Sequence, residues 1–394
     1  MSGNWLWRGS LLAAAAVTAV LVVQDGVARR ASRGAAAFAL AQQISPSDAA
    51  VQARVAEQSL GQMRKPGMLK RADGAARRAL SRDITRVDAV AVSGMVASVR
   101  GNTEAARRIM TASDALSRRD LTTRLWFIAD AVKRNRTGDA LGHFDVALRT
   151  SITAHRLLFP LLATAMQDDK LVAPMTRLLR ERPAWGAPFL YTAITTGKAT
   201  RNLARVYEGL NPKPVYEGQD LGALIMETLV AQRDYMAAAQ LDRAVHGPRS
   251  LIVSPGFADG THYEPFGWAL TATADFDAVM GRDTMGRSGL AVTSTGAKRG
   301  VVASQLLSLP AGSYAFAGAV SSDTPQPRSV PRWTLSCAAD DRALGEFLPR
   351  SAKEARWIVP AGCPFQWLRL DLDAANTLTG EDLFVAPVSL RRVG

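Results

Sequence analysis

Cysteine and histidine are both scarce. Two Cys, Cys337 and Cys363, and four His, His143, His155, His246 and His262, occur in 394 residues. The histidines are scattered with no metal-ligand spacing, so the sequence offers no metal site. No Gly-x-Ser-x-Gly elbow is present, which removes the usual signature of a Ser-His-Asp hydrolase, and a Cys–His pair is lost if the thiols are bridged. Long apolar runs are missing as well: the uncharged stretch from Leu11 to Val23 is thirteen residues, short of a comfortable bilayer span. No helix-turn-helix pattern and no interleaving of aromatic and basic residues appears, which disfavours nucleic acid. With these signatures absent, the expectation is a protein that is not an enzyme.

What is present is an ordinary globular composition, 47% hydrophobic and 21% charged, on a chain long enough for two domains. The net charge of +13 is unevenly spread. Residues 251–394 hold 13 Lys+Arg against 14 Asp+Glu, so the first 250 carry 35 basic and 21 acidic residues. A surplus of that kind attracts anions, an acidic polysaccharide or phospholipid headgroups among them, although Arg-rich helix faces are commonly just solvated.

The N-terminus reads as a leader over residues 1–28. Arg8 precedes the apolar run, Trp5 and Trp7 suit an interface, and Gly26 and Ala28 supply small residues for cleavage after Ala28. Whether it is a cleaved signal peptide or an inner-membrane anchor stays open, because Arg29, Arg30 and Arg33 blunt the positive-inside rule. Export to the periplasmic side of a bacterial envelope is the expectation. In an exported chain the two cysteines are most simply a Cys337–Cys363 disulfide.

Residues 31–249 read as helical repeats. "GNTEAARRIM" begins at Gly101 and "NRTGDALGHF" at Asn135, an offset of 34, and the same step back reaches Gly67. Ala72, Ala106 and Ala140 then align, as do Ala79, Ser113 and Ala147, with Met110 and Phe144 at a shared bulky position and Gly94 where two helices approach. This resembles the tetratricopeptide repeat family, over about residues 47–154, and implies an α-solenoid with a groove for protein partners. The rhythm loosens afterwards, where Pro174 interrupts it.

Residues 250–394 change to a period of two. Tyr314, Phe316, Gly318 and Val320 alternate with small residues; Trp333, Leu335 and Cys337 share a face; Leu368, Leu370 and Leu372 oppose Trp367, Arg369 and Asp371. Turns such as Pro310-Ala311-Gly312 and Pro360-Ala361-Gly362 separate the runs, which predicts an antiparallel β-sandwich. "SLIVSPGF" is expected as its first strand, beside the final "DLFVAPVSLRRV". Through Gly256, Phe257 and Trp268, and through Pro310, Gly312 and Tyr314, the segment resembles jelly-roll carbohydrate-binding modules. The overall fold expectation is multidomain α then β: leader, solenoid, jelly-roll-like sandwich.

That resemblance implies glycan binding by stacked aromatics and planar polar groups. Trp367 is the first choice, with Arg369 and Asp371 on its face, and Trp357 the second; Trp333 and Trp268 read as core. The acid pairs Asp275/Asp277 and Asp371/Asp373 would each share a strand face, as hydrolysis requires, but such pairs are common on solvated sheets. No cofactor is expected, apart from a structural Ca²⁺ that Asp259, Glu381 and Asp382 would ligate. The arrangement of anchor, repeats and module is similar to proteins associated with bacterial exopolysaccharide and capsule machinery. The expected role is a non-catalytic envelope protein that organises polysaccharide, with envelope proteins as further partners. A pure interaction scaffold and a glycan hydrolase or lyase are the alternatives.

Overall fold

The computed structural model describes residues 38–39, 42–43, 46–258, 262–283, 285–295, 298–322, 329–349, 353–374 and 381–393. The leader and Asp259 lie outside the described residues. Among those described, no helix is long and apolar enough to cross a membrane. The chain divides into two compact units, Met1–Tyr216 and Glu217–Gly394.

The first unit is helical. Its helices are α1 (Ala49–Gly61), α2 (Met68–Leu80), α3 (Val87–Val99), α4 (Thr103–Leu116), α5 (Leu121–Lys133), α6 (Thr137–Thr150), α7 (Ile152–Ala165), α8 (Val172–Arg180), α9 (Gly186–Thr195) and α10 (Thr200–Glu208). Local sequence sets their starts. Asp48, Asn102, Asp120 and Ser151 each place a side-chain oxygen on a first-turn N–H of α1, α4, α5 and α7. The 34-residue period has a backbone counterpart: Gly67, Gly101 and Asn135 all take positive φ, at 78°, 82° and 59°, directly ahead of α2, α4 and α6. Gly and Asn tolerate that corner better than other residues.

Small residues let the paired helices close. Ala72, Ala79, Ala106, Ser113 and Ala147 are fully buried, and Ala140 nearly so. A Cβ on Gly94 would stand 2.8 Å from Met110 Cε, so this glycine makes room for that methionine. Pro174 falls at the third residue of α8, in the first turn, where its missing N–H breaks no intrahelical bond. The repeat therefore loosens there without losing helix.

The second unit opens with β2 (Gln219–Asp220), as β1 (Val215–Tyr216) closes the first. Two helices follow, α11 (Leu221–Ala231) and α12 (Tyr235–His246), so the unit holding the sheets also holds a helical hairpin. The strands are β3 (Ala269–Leu270), β4 (Phe276–Arg282), β5 (Ser288–Ser294), β6 (Arg299–Leu307), β7 (Gly312–Ala317), β8 (Val320–Ser322), β9 (Val330–Cys337), β10 (Ala343–Phe347), β11 (Ala355–Val359), β12 (Gln366–Asp373), β13 (Glu381–Val385) and β14 (Ser389–Val393).

They form an antiparallel sandwich. One sheet runs β10-β9-β12-β6-β3. Opposite it, β4-β5-β13-β8 and β11-β7-β14 are stitched into one layer, since β7 leads into β8 and β13 into β14, and Ala386 N–H donates to Ala319 O at 2.9 Å. Between the layers lies a single core, with Trp333, Leu335, Leu368, Leu370 and Leu372 from one side and Phe276, Leu290, Tyr314, Phe316, Trp357 and Leu383 from the other. The stretch "SLIVSPGF" corrects expectation: it is not a strand. Ser254 and Phe257 sit at positive φ, and a side chain rather than a neighbouring strand satisfies Val253. It still lies beside the last strands, because Val388 N–H donates to Pro255 O at 2.8 Å.

Candidate functional site

On β12 the alternation is as written in the sequence: Leu368, Leu370 and Leu372 are buried while Trp367, Arg369 and Asp371 are half-buried on the opposite face. Neighbouring strands add polar groups to that face. Ser336 and Thr334 of β9 stand beside Trp367 and Arg369, and Ser304 of β6 stands on the other side of Arg369. The Arg369 guanidinium lies 5.3 Å from the Trp367 ring, a cation–π pair, and also donates to Ser336 Oγ at 3.4 Å and Asp341 Oδ1 at 3.3 Å. Thr334 Oγ1 donates to Asp371 at 2.8 Å. Farther along, Asp373 pairs with Arg299, and Arg332 with Glu346 at 3.1 Å.

Sequence reasoning missed Tyr235. This first residue of α12 meets Trp367 edge-on, 6.3 Å between centroids and 89° between planes, and packs against Phe365 at 5.9 Å. Only the packing of a helix that reads as part of the repeats could place it there. The result is a row of Tyr235, Trp367 and Arg369 with hydroxyls and a carboxylate alongside. Among the described tryptophans, Trp367 is the one that is not buried.

Trp357 corrects expectation. It is 1% exposed, stacked on Phe316 at 4.4 Å and 18°, and its Nε1 points to Glu346 O. The β11 alternation sends Arg356 and Ile358 outward and Trp357 inward with Val359, and Gly345 across the core vacates the space the indole fills. Trp268 and Trp333 are core, as read; Trp268 packs on Phe257 at 4.8 Å and donates to Ser254 O.

Cys337 and Cys363 are bonded, with Cα atoms 5.7 Å apart, tying the end of β9 to the turn before β12. This braces the strand pair that presents Ser336 and Trp367. Three acids of the two pairs do not stand free: Asp275 holds Lys298 at 2.8 Å, Asp371 takes the Thr334 hydroxyl and Asp373 takes Arg299. Nor do Glu381 and Asp382 converge for Ca²⁺. As neighbours on β13 they face opposite ways, Glu381 buried against Ser329 N–H at 2.8 Å and Asp382 outward on Thr293 Oγ1 at 2.7 Å.

A second cluster had one signal in the sequence, the i, i+4 spacing of Asp242 and His246, and the fold supplies its third member. Asp242 and His246, four residues apart on α12, meet His262 from the following loop, and one donor atom from each lies within 4.8 Å of the others. Among the described residues this is the group of His and acidic side chains able to hold a metal ion. Asp242 is fully buried and also accepts from Arg249 at 3.0 Å. Burial pushes the Arg249 guanidinium below its ordinary value, opposed by the Asp242 charge.

No protein-family model and no curated protein matches the chain. Parts of it are similar to solved structures. The carbohydrate-binding module TmCBM61, in complex with β-1,4-galactotriose, has TM-score 0.27 and 15% identity over 37% of this chain and 100% of that one. The enzymatically active domain of bacteriophage CBA120 tailspike protein 4 has TM-score 0.25 and 11% identity, over 38% and 22%. A structure of promiscuous carbohydrate-binding modules from the β-sandwich superfamily has TM-score 0.23 and 18% identity, over 34% and 60%.

Proposed function

We propose that the second unit is a non-catalytic glycan-binding module and that the helical unit is a tetratricopeptide-like arm for envelope protein partners. The carbohydrate named with TmCBM61 is that protein's ligand; the present reading stands on the outer face of β12. One observation carries it: the single unburied tryptophan of the described chain, Trp367, sits in line with Tyr235, Arg369 and Asp371. A pyranose offers an apolar C–H face to an aromatic ring and hydroxyl edges to a carboxylate or guanidinium, and this row supplies both. The surrounding acids are each engaged by a cation or hydroxyl, which favours binding over hydrolysis.

The wider reading is of a protein that organises a polysaccharide or its export machinery, held at the periplasmic side of the inner membrane or released there by cleavage of the leader. The basic surplus of the first 250 residues suits an acidic chain. Retention of the full chain on immobilised neutral and acidic polysaccharides tests the glycan claim, with Trp367→Ala and Asp371→Ala alongside. Retention is expected to drop at least about tenfold in Trp367→Ala, since truncating a tryptophan that anchors an interface costs about 2 kcal/mol or more. Failure of the folded wild type to be retained by any of them would leave the pure scaffold.

A further inference from the structure

The Asp242–His246–His262 cluster belongs to no part of the proposed glycan face. Asp242 Oδ1 is 3.1 Å from His246 Nδ1 and 3.2 Å from His262 Nδ1. In a tetrahedral zinc site with bonds of about 2.0–2.1 Å, neighbouring donor atoms stand about 3.3 Å apart. The two edges from Asp242 match that spacing, and one donor atom from each of the three groups lies within 4.8 Å of the others. Asp242 and His246 share a helix face at i, i+4, a spacing that serves metal ligands on helices, and His262 comes from sixteen residues further on.

The cluster is also braced from outside. Arg249 holds Asp242 Oδ2 at 3.0 Å and is itself stacked over Phe266 at 3.8 Å. This fixes the carboxylate, whose Oδ1 is within reach of both imidazoles while Oδ2 also lies 3.0 Å from His262 Nδ1, and it is the outer support that ligating carboxylates characteristically have. Tyr263 packs edge-on against His246 at 4.5 Å and donates to Asp220 at 2.9 Å, restraining that ring. Among the described residues Arg249 is the arginine or lysine paired with Asp242, and it lowers the affinity for a second positive charge while contacting Oδ2.

We propose that Asp242 Oδ1, His246 Nδ1 and His262 Nδ1 bind one divalent transition-metal ion of the zinc class, clasping α12 to the loop that leads into the sandwich. Each Nδ1 lies within hydrogen-bond reach of the carboxylate. A ring that ligates through Nδ1 must carry its proton on Nε2, and the step changes no oxidation state. Imidazole with a single carboxylate suits zinc over calcium or magnesium.

The test uses the full chain, dialysed against buffered Zn²⁺ and assayed for bound metal. One zinc per chain is expected, with affinity more than about 100-fold weaker in His246→Ala and His262→Ala, since even outer-support changes cost 10–100-fold. His155→Ala, which alters a histidine outside the cluster, should bind as wild type. Wild-type levels of zinc in both cluster variants, or no uptake by the folded wild type at micromolar free zinc, overturns the proposal. If the variants do not fold, Co²⁺ titration of the wild type decides. Intense visible d–d bands of a four-coordinate site support it, and the pale spectrum of the hydrated ion refutes it.

Discussion

The side-chain amide of Gln305 pairs with both main-chain groups of Val253: Val253 N–H donates to Oε1 and Nε2 donates to Val253 O, each at 3.0 Å. A side chain thus replaces the strand that "SLIVSPGF" lacks. Gln366 repeats the device on Leu309, accepting from its N–H at 2.9 Å and donating to its carbonyl at 3.4 Å. Gln305 and Gln366 are both fully buried. Gln305→Leu keeps the volume and strands two buried backbone groups, each worth about 1–3 kcal/mol. Urea unfolding of the second unit should show a loss of about 2–6 kcal/mol; a neutral result would mean the Val253 backbone finds other partners.

Two glycines separate rigid from pliant packing. A Cβ on Gly345 would meet Trp357 Cδ1 at 2.1 Å, and an indole wedged against Phe316 cannot yield. Gly345→Ala is expected to destabilise by about 1–3 kcal/mol. At Gly94 the obstacle is the buried but unbranched Met110 side chain, and alanine regains helix propensity of about 0.5–1 kcal/mol, so Gly94→Ala should cost less than Gly345→Ala. Thermal unfolding of both variants side by side checks the contrast, which equal losses would erase.

The Cys337–Cys363 bridge spans 26 residues of sequence. On the chain-entropy model a loop of that size stabilises by about 3–4 kcal/mol. Cys337→Ala/Cys363→Ala should lower the stability of the second unit by that order and leave the helical unit's transition in place. Coincident loss of both transitions would contradict this.

Acidification should weaken the helical unit through His143. Burial, and then the Arg124 charge, hold its pKa below the ordinary histidine value of about 6.5. Its ring stacks on Phe127 at 4.8 Å while Arg124 Nη1 lies 3.3 Å from Nδ1. The unfolded chain therefore binds this proton more readily, so stability falls as pH drops through about 6.5 and the residue contributes no slope well above it. Circular dichroism melts across that window should show a shallower decline in His143→Leu than in wild type. Identical slopes would place the pH dependence elsewhere.

Much of the fold was legible because its determinants are local. The 34-residue spacing of Gly67, Gly101 and Asn135 encodes a repeated left-handed corner, and the buried alanines behind it encode close helix contacts. Alternation on β12 sorted Leu368, Leu370 and Leu372 from Trp367, Arg369 and Asp371 without any partner strand being known. Trp357 faces the core because of the space opposite it, and Gly345, which shapes that space, is remote in sequence.

Local chemistry set the helical repeats, the change of period and the two faces of β12, since φ preference and side-chain alternation act within a few residues. Only the tertiary structure decided which helices accompany the sheets, that Tyr235 meets Trp367, and that Asp242, His246 and His262 converge. Those outcomes depend on burial between distant segments, where the free energy lies in the fit of two surfaces and in no local pattern.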